Sequence, residues 1–78
     1  MKSEINKKNY LVDKYNYVSK WSEEDGAFVA KVIEFPGLRA HADSSNNAIE
    51  ELKLAVTLVL ESMEEKEMPF PKPISSQN

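Results

Sequence analysis

Apolar and polar residues alternate from Tyr15 to Trp21. Tyr15, Tyr17 and Trp21 fall on one side, Asn16 and Lys20 on the other. That period of two is the signature of a strand, and Asn9 to Lys14 reads as its lead-in. Ser22-Glu23-Glu24-Asp25-Gly26 breaks the pattern, and Asp-Gly favours a turn because glycine accepts positive φ without steric cost. Alternation resumes at Ala27, with Phe28, Ala30 and Val32 opposite Ala27, Val29, Lys31 and Ile33. One side carries no charge until Glu34, so this second strand is expected to be the better buried. Two strands joined by an acidic turn predict a β-hairpin.

Phe35-Pro36-Gly37 is expected to end the second strand, because proline cannot donate to a ladder and Pro-Gly suits a turn corner. Leu38 to Ala42 then reads as a short third strand, with Leu38, Ala40 and Ala42 on one side and Arg39 and His41 on the other. Asp43-Ser44-Ser45 marks a helix start. Ile49, Leu52, Val56, Val59 and Met63 follow in steps of three and four, and Ala48, Ala55 and Leu60 widen the stripe. The spacing predicts a helix over Ser45–Lys66, about 30 Å long, as the main packing partner of the sheet. Met68-Pro69-Phe70-Pro71-Lys72-Pro73 is too proline-rich for a helix and reads as extended. It serves either as a fourth short strand added to a sheet edge or as a linker, and Phe70 is placed against the sheet or the helix end. The expected organisation is a flexible tail over residues 1–8, one domain over 9–73 and a frayed end over 74–78. The fold class is α+β: a three-stranded antiparallel sheet in the order β-β-β-α, packed on one long helix.

At 78 residues, a chain of this size buries about 60% of the surface that its unfolded form exposes. That leaves room for a sheet and a helix or two, and not for separate cofactor and catalytic domains. No apolar run approaches the roughly 20 residues of a spanning helix, and the opening Met-Lys-Ser-Glu-Ile-Asn-Lys-Lys lacks a signal-peptide core. A cytoplasmic protein is therefore expected. The absence of cysteine and the single histidine exclude a disulfide framework, a cysteine zinc site, a thiol nucleophile and a His-based metal site. No cofactor is expected. The net charge of −3 is unevenly spread. Residues 1–20 carry five lysines against Glu4 and Asp13, whereas acids outnumber bases from Trp21 to Glu67. An acidic body with a single arginine disfavours nucleic acid and favours a basic protein partner.

Four segments occur in a telling order: Lys14-Tyr15-Asn16-Tyr17, Trp21-Ser22-Glu23-Glu24-Asp25-Gly26, Glu34-Phe35-Pro36-Gly37-Leu38, and, beyond the helix carrying Ala48, Met68-Pro69-Phe70-Pro71. Together they resemble the N-terminal domain of the HicB antitoxins of type II toxin–antitoxin systems, over about Asn9 to Pro73. The resemblance implies a degraded RNase H-like fold that binds and blocks HicA, a small basic ribonuclease that cleaves messenger RNA. It also implies a homodimer or higher homo-oligomer. Full-length members usually add a C-terminal DNA-binding domain, and this sequence stops at Asn78 before any such domain. Asn47 departs from the family, whose helix start carries Glu there, so the capping box with Ser44 is weakened.

The candidate partner-binding residues are Trp21, Glu23, Glu24, Asp25, Phe35, Arg39, His41 and Phe70. The acidic tip Glu23-Glu24-Asp25 is either an electrostatic handle for a basic toxin or a solvated turn. Trp21 and Phe35 are hot-spot anchors if exposed, but a small core is their simpler destination, as for Tyr15 and Tyr17. His41 has no second histidine, serine or cysteine arranged for catalysis, although Asp43 lies two residues on. A true RNase H site needs several carboxylates around two metal ions. Here the strands offer Lys20, Lys31 and Arg39, with Glu34 the one acid of the second strand. The expectation is an antitoxin-like binding protein without catalytic or metal-binding residues. The alternatives are an orphan oligomeric module and a vestigial metal-dependent ribonuclease relying on Glu34 or Asp43.

Overall fold

The structure, a computed structural model, describes residues 7–75. Helix α1 (Lys7–Lys14) is followed by β1 (Tyr17–Ser22), β2 (Ala27–Val32), β3 (Phe35–Ala42) and the long helix α2 (Ser45–Glu65). The strands form one antiparallel sheet in the order β1-β2-β3. α2 packs across one of its faces, and the architecture is α+β. Ala30 and Val32 of β2 and Ala48, Leu52, Val56 and Leu60 of α2 are fully buried between the two layers. Phe28, Leu38, Ala40 and Ala42 pack around them.

α1 replaces the expected strand lead-in, and Lys7 and Lys8, placed in the flexible tail by the sequence reading, belong to it; residues 1–6 lie outside the described residues. A helix this short is not stable alone. Tertiary packing holds it: Val12 and Tyr15 are buried in the core, Leu11 packs against it, and the Tyr17 hydroxyl donates to Val12 O at 2.7 Å. Lys8 pairs with Glu64 of α2 at 2.7 Å and Lys53 with Asp13 at 3.8 Å, but partly exposed pairs contribute little beside buried packing.

The first hairpin closes as expected. Gly26 takes φ +63° and donates its N–H to Ser22 O at 2.9 Å, while Ser22 Oγ accepts from Asp25 N at 3.1 Å. The second turn differs. Ile33-Glu34 makes it, Val32 pairs with Phe35, and Pro36-Gly37 lies inside β3 instead of ending β2. The ladder jumps from Val32↔Phe35 to Lys31↔Arg39, so Pro36, Gly37 and Leu38 form a bulge. Positive φ occurs among the described residues only at Gly26 and Glu67. The Ile33-Glu34 turn therefore lacks the conformation that matches sheet twist, and the bulge realigns the strand. An odd number of inserted residues brings both Phe35 and Leu38 to the core. It also accommodates a proline without an N–H on an edge strand.

Ser44 caps α2, its Oγ accepting from Asn47 N at 3.1 Å. The helix ends in a Schellman arrangement: Glu67 N donates to Glu64 O at 3.0 Å and Met68 N to Met63 O at 2.9 Å. Glu67 occupies the left-handed position that favours glycine, at φ 57°. Beyond it the chain runs extended but joins no ladder, so the fourth strand is not formed among the described residues. Phe70 packs against the core, Pro71 O accepts from the Tyr15 hydroxyl at 2.8 Å, and Ile74 is anchored by both its backbone N–H and its carbonyl. Order thus extends past Pro73 to Ile74; residues 76–78 lie outside the described residues.

Two substitutions test these local conclusions. The Ser19 hydroxyl is buried without a hydrogen-bond partner among the described residues, opposite Ala30 in the ladder. Ser19→Ala is expected to raise stability by about 1 kcal/mol, read as a higher midpoint in urea unfolding at unchanged slope. Glu67→Gly removes the strain of a left-handed L-residue and is expected to raise the thermal midpoint by several degrees, a gain of about 1 kcal/mol.

Candidate functional site

α2 covers one face of the sheet; among the described residues no helix lies over the opposite face. The ladder registers place its side chains. Val18 of β1 lies opposite Lys31 of β2, which lies opposite Arg39 of β3; Lys20 lies opposite Val29, which lies opposite His41. Val18 is therefore diagonal to both Val29 and Ile33, and Lys20 diagonal to Lys31. An apolar strip and a row of cations interleave across three strands. They line an open groove of about 450 Å³, whose far end is formed by Trp21, Ser22, Glu24 and Asp25 of the hairpin tip. Val18, Trp21 and Ile33 are each about half exposed, at 51%, 48% and 48%. Lys20, Lys31 and Arg39 make no ion pair among the described residues.

Half of the sequence candidates line this groove, and Glu23 and His41 hydrogen-bond to two of them. Trp21, Glu24, Asp25 and Arg39 line the groove. The Trp21 indole N–H donates to Glu23 Oε2 at 3.0 Å, and the Trp21 ring meets Phe28 edge to face at 5.2 Å. His41 Nε2 lies 3.3 Å from Asp25 Oδ2, so its carboxylate neighbour comes from the hairpin tip and not from Asp43. Trp21 is not the core residue that its strand position suggests. It sits near the end of β1, half exposed, with its ring packed edge to face on Phe28. Phe35 and Phe70 go the other way: both pack on the core, Phe35 against Tyr15 with ring centroids 5.4 Å apart. The residues that the sequence reading passed over are Val18, Lys20, Val29, Lys31 and Ile33. Their signal was the second phase of the same alternation that located the core.

Glu34 performs a different task. Its Oε1 accepts from Asn16 N at 2.9 Å, and its Oε2 accepts from Asn16 Nδ2 at 2.7 Å and Ile74 N at 2.8 Å. Burial pushes its pKa up, but the hydrogen bonds from Asn16 and Ile74 outweigh that and hold it below the ordinary value of 4.5. The same carboxylate raises the neighbouring tyrosines. Burial and then Glu34 raise Tyr15, whereas burial followed by Asp13, Glu34 and Tyr15 pushes Tyr17 up to about 12. Glu34 thus joins the entry of β1, the β2–β3 turn and the C-terminal segment. No group of three or more His, Cys, Asp or Glu side chains among the described residues is arranged to hold a metal ion. No helix among them is long and apolar enough to cross a membrane.

Comparison with protein-family models, with curated proteins and with solved structures returned no match.

Because the folded pKa of Glu34 lies below its unfolded value, its contribution is complete above about pH 4.5 and is lost as pH falls through the folded value. Glu34→Gln is expected to cost about 1–2 kcal/mol at neutral pH and to flatten the acid limb of a plot of thermal midpoint against pH. Amide exchange at Ile74 should accelerate in the same variant. An unchanged acid limb would remove the role assigned to this carboxylate.

Proposed function

We propose that this chain is an interaction protein, an antitoxin of the HicB type that binds a basic HicA-type mRNA interferase and neutralises it by covering its active site. The observation that carries this reading is the clustering of Trp21, Glu23, Glu24 and Asp25 at the exposed hairpin end of the sheet. An aromatic anchor beside three carboxylates suits a cationic ribonuclease surface: the charges steer the encounter and the indole supplies buried area on docking. The resemblance supports it from the sequence side. The segments that carry it form the first hairpin, the β2–β3 turn with its bulge, and the segment returning to Tyr15 and Asn16. A three-stranded sheet backed by a long helix is compatible with a degraded RNase H-like domain, here without a fourth strand among the described residues.

In the proposed mechanism the chain does no chemistry. It competes with messenger RNA for the ribonuclease surface, so its effect is stoichiometric. One equivalent is expected to abolish RNA cleavage by a cognate small basic ribonuclease, to be sought as a reading frame beside its gene. Changing Glu23, Glu24 and Asp25 together to lysine should slow association and weaken binding about tenfold or more, with the circular dichroism spectrum unchanged. Cleavage that continues at saturating chain would overturn the proposal. A second reading, an oligomeric module without a toxin, is favoured by the charge complementarity of two opposite faces. The absence of a small basic reading frame beside the gene would select it.

A further inference from the structure

α2 has one apolar stripe that the fold uses and, on its other side, two leucines that it does not. Asn47, Glu51, Leu54, Leu58, Glu61 and Glu65 recur in steps of four and three, which places them along one line of the helix surface. All six are exposed. Leu54 and Leu58 are 64% and 66% exposed, more than any other large apolar side chains described. This line points away from the sheet, since Ala48, Leu52, Val56 and Leu60 occupy the opposite side of the helix. Two neighbouring leucines thus stand in solvent between acids at each end, with no cation on the line.

The open sheet face presents the converse: Val18, Val29 and Ile33 among Lys20, Lys31 and Arg39. We propose that the outward line of α2 in one copy of this chain docks in the sheet groove of a second copy, with Leu54 and Leu58 on the valine–isoleucine strip and Glu51 and Glu61 against the cations. The charges choose this pairing. Helix on helix, parallel or antiparallel, sets glutamates against glutamates at both ends of the leucine pair. Sheet on sheet brings Lys20, Lys31 and Arg39 against their own counterparts, with Glu24 and Asp25 confined to the far end of the groove. Helix on sheet is complementary in both apolar surface and sign along the strip of Val18, Val29 and Ile33. It also repeats the geometry already present in the fold, where α2 covers the inner face of its own sheet. In the docked pair one sheet gains a second helix, and its Lys20, Lys31 and Arg39 gain the carboxylates they lack within the chain.

The contact is heterologous, because different patches meet. The docked pair therefore leaves one free helix face and one free groove, and assembly continues beyond the dimer until a ring closes or the supply of chain is exhausted. This goes beyond the antitoxin reading and does not depend on it, since the experiment uses the purified chain alone.

Sedimentation velocity from micromolar to millimolar concentration is expected to show mass growing past that of a dimer. Added salt should reduce the association. Lys31→Glu with Arg39→Glu, and separately Glu51→Lys with Glu61→Lys, should each weaken self-association about tenfold or more. An equimolar mixture of the two variants should restore it, because each reversed face then meets a face of the opposite sign. Chemical shifts of the wild-type chain on dilution supply a readout independent of substitution: Val18, Val29, Ile33, Leu54 and Leu58 should move together. A wild-type chain that stays monomeric throughout would overturn the proposal. So would a dimer that survives both charge reversals, variants that mixing fails to rescue, or dilution shifts confined to one of the two faces.

Discussion

α2 buries Ala48, Leu52, Val56 and Leu60 against Ala30 and Val32, and this commits the apolar surface of the one long helix to one side of the sheet. A sheet has two faces, and a chain of 78 residues has little left to cover the second once the first is packed. α1 does not change this. Its Val12 and the following Tyr15 extend the inner layer, and its ionic contacts through Lys8 and Asp13 go to α2. The outer face is thus a consequence of how the core was built. What it carries had to be compatible with water: lysines and an arginine between branched aliphatic side chains.

The same shortage of core explains how the ends of the domain are held. The β2–β3 turn, the entry to β1 and the C-terminal segment meet beside the Tyr15–Phe35 contact, and a carboxylate joins their backbones. Glu34 can accept several N–H groups at once because it is ionised, and charge-assisted bonds of this kind are stronger than neutral ones. The bulge at Pro36-Gly37-Leu38 cooperates. By shifting the register it keeps Phe35 beside Tyr15 and leaves the turn free to present Glu34 toward Asn16. A turn without positive φ and a proline in an edge strand are two local misfits with one remedy.

What the sequence disclosed follows from what periodicity encodes. The three strands, the capping Ser44 and the long helix were legible because each has a side-chain period and a punctuating residue. Asp25-Gly26 was legible as a turn for the same reason. Pro36-Gly37 misled, because proline also marks a bulge on an edge strand, and only the partner strand distinguishes the two. α1 was hidden because its eight residues include three lysines and three apolar side chains with little amphipathic contrast; its helicity is a tertiary effect. The candidate site was half visible. The acidic tip, Trp21 and Arg39 stood out by residue type. Val18, Val29 and Ile33 did not, since an apolar residue in a strand is assigned to the core unless it is known that no second layer exists. Leu54 and Leu58 were masked likewise, inside a helix whose other side already explained its hydrophobicity.

The distribution of charge on the outer face is costly for an isolated domain. Lys31 stands directly opposite Arg39, a like-charged cross-strand pair, with Lys20 diagonal to it. Intervening acids would have relieved that repulsion, and the chain has a surplus of them. They lie instead along the outward side of α2 and at the hairpin tip, while among the described residues no acid pairs with any of the three cations. A fold tuned for monomer stability alone would intersperse the signs. Keeping the acids to the outward side of α2 and the tip of the hairpin, apart from Lys20, Lys31 and Arg39, leaves the attraction unsatisfied within the chain and available between chains. The repulsion within each face then acts as a filter: it opposes like-to-like contacts while leaving the complementary one open.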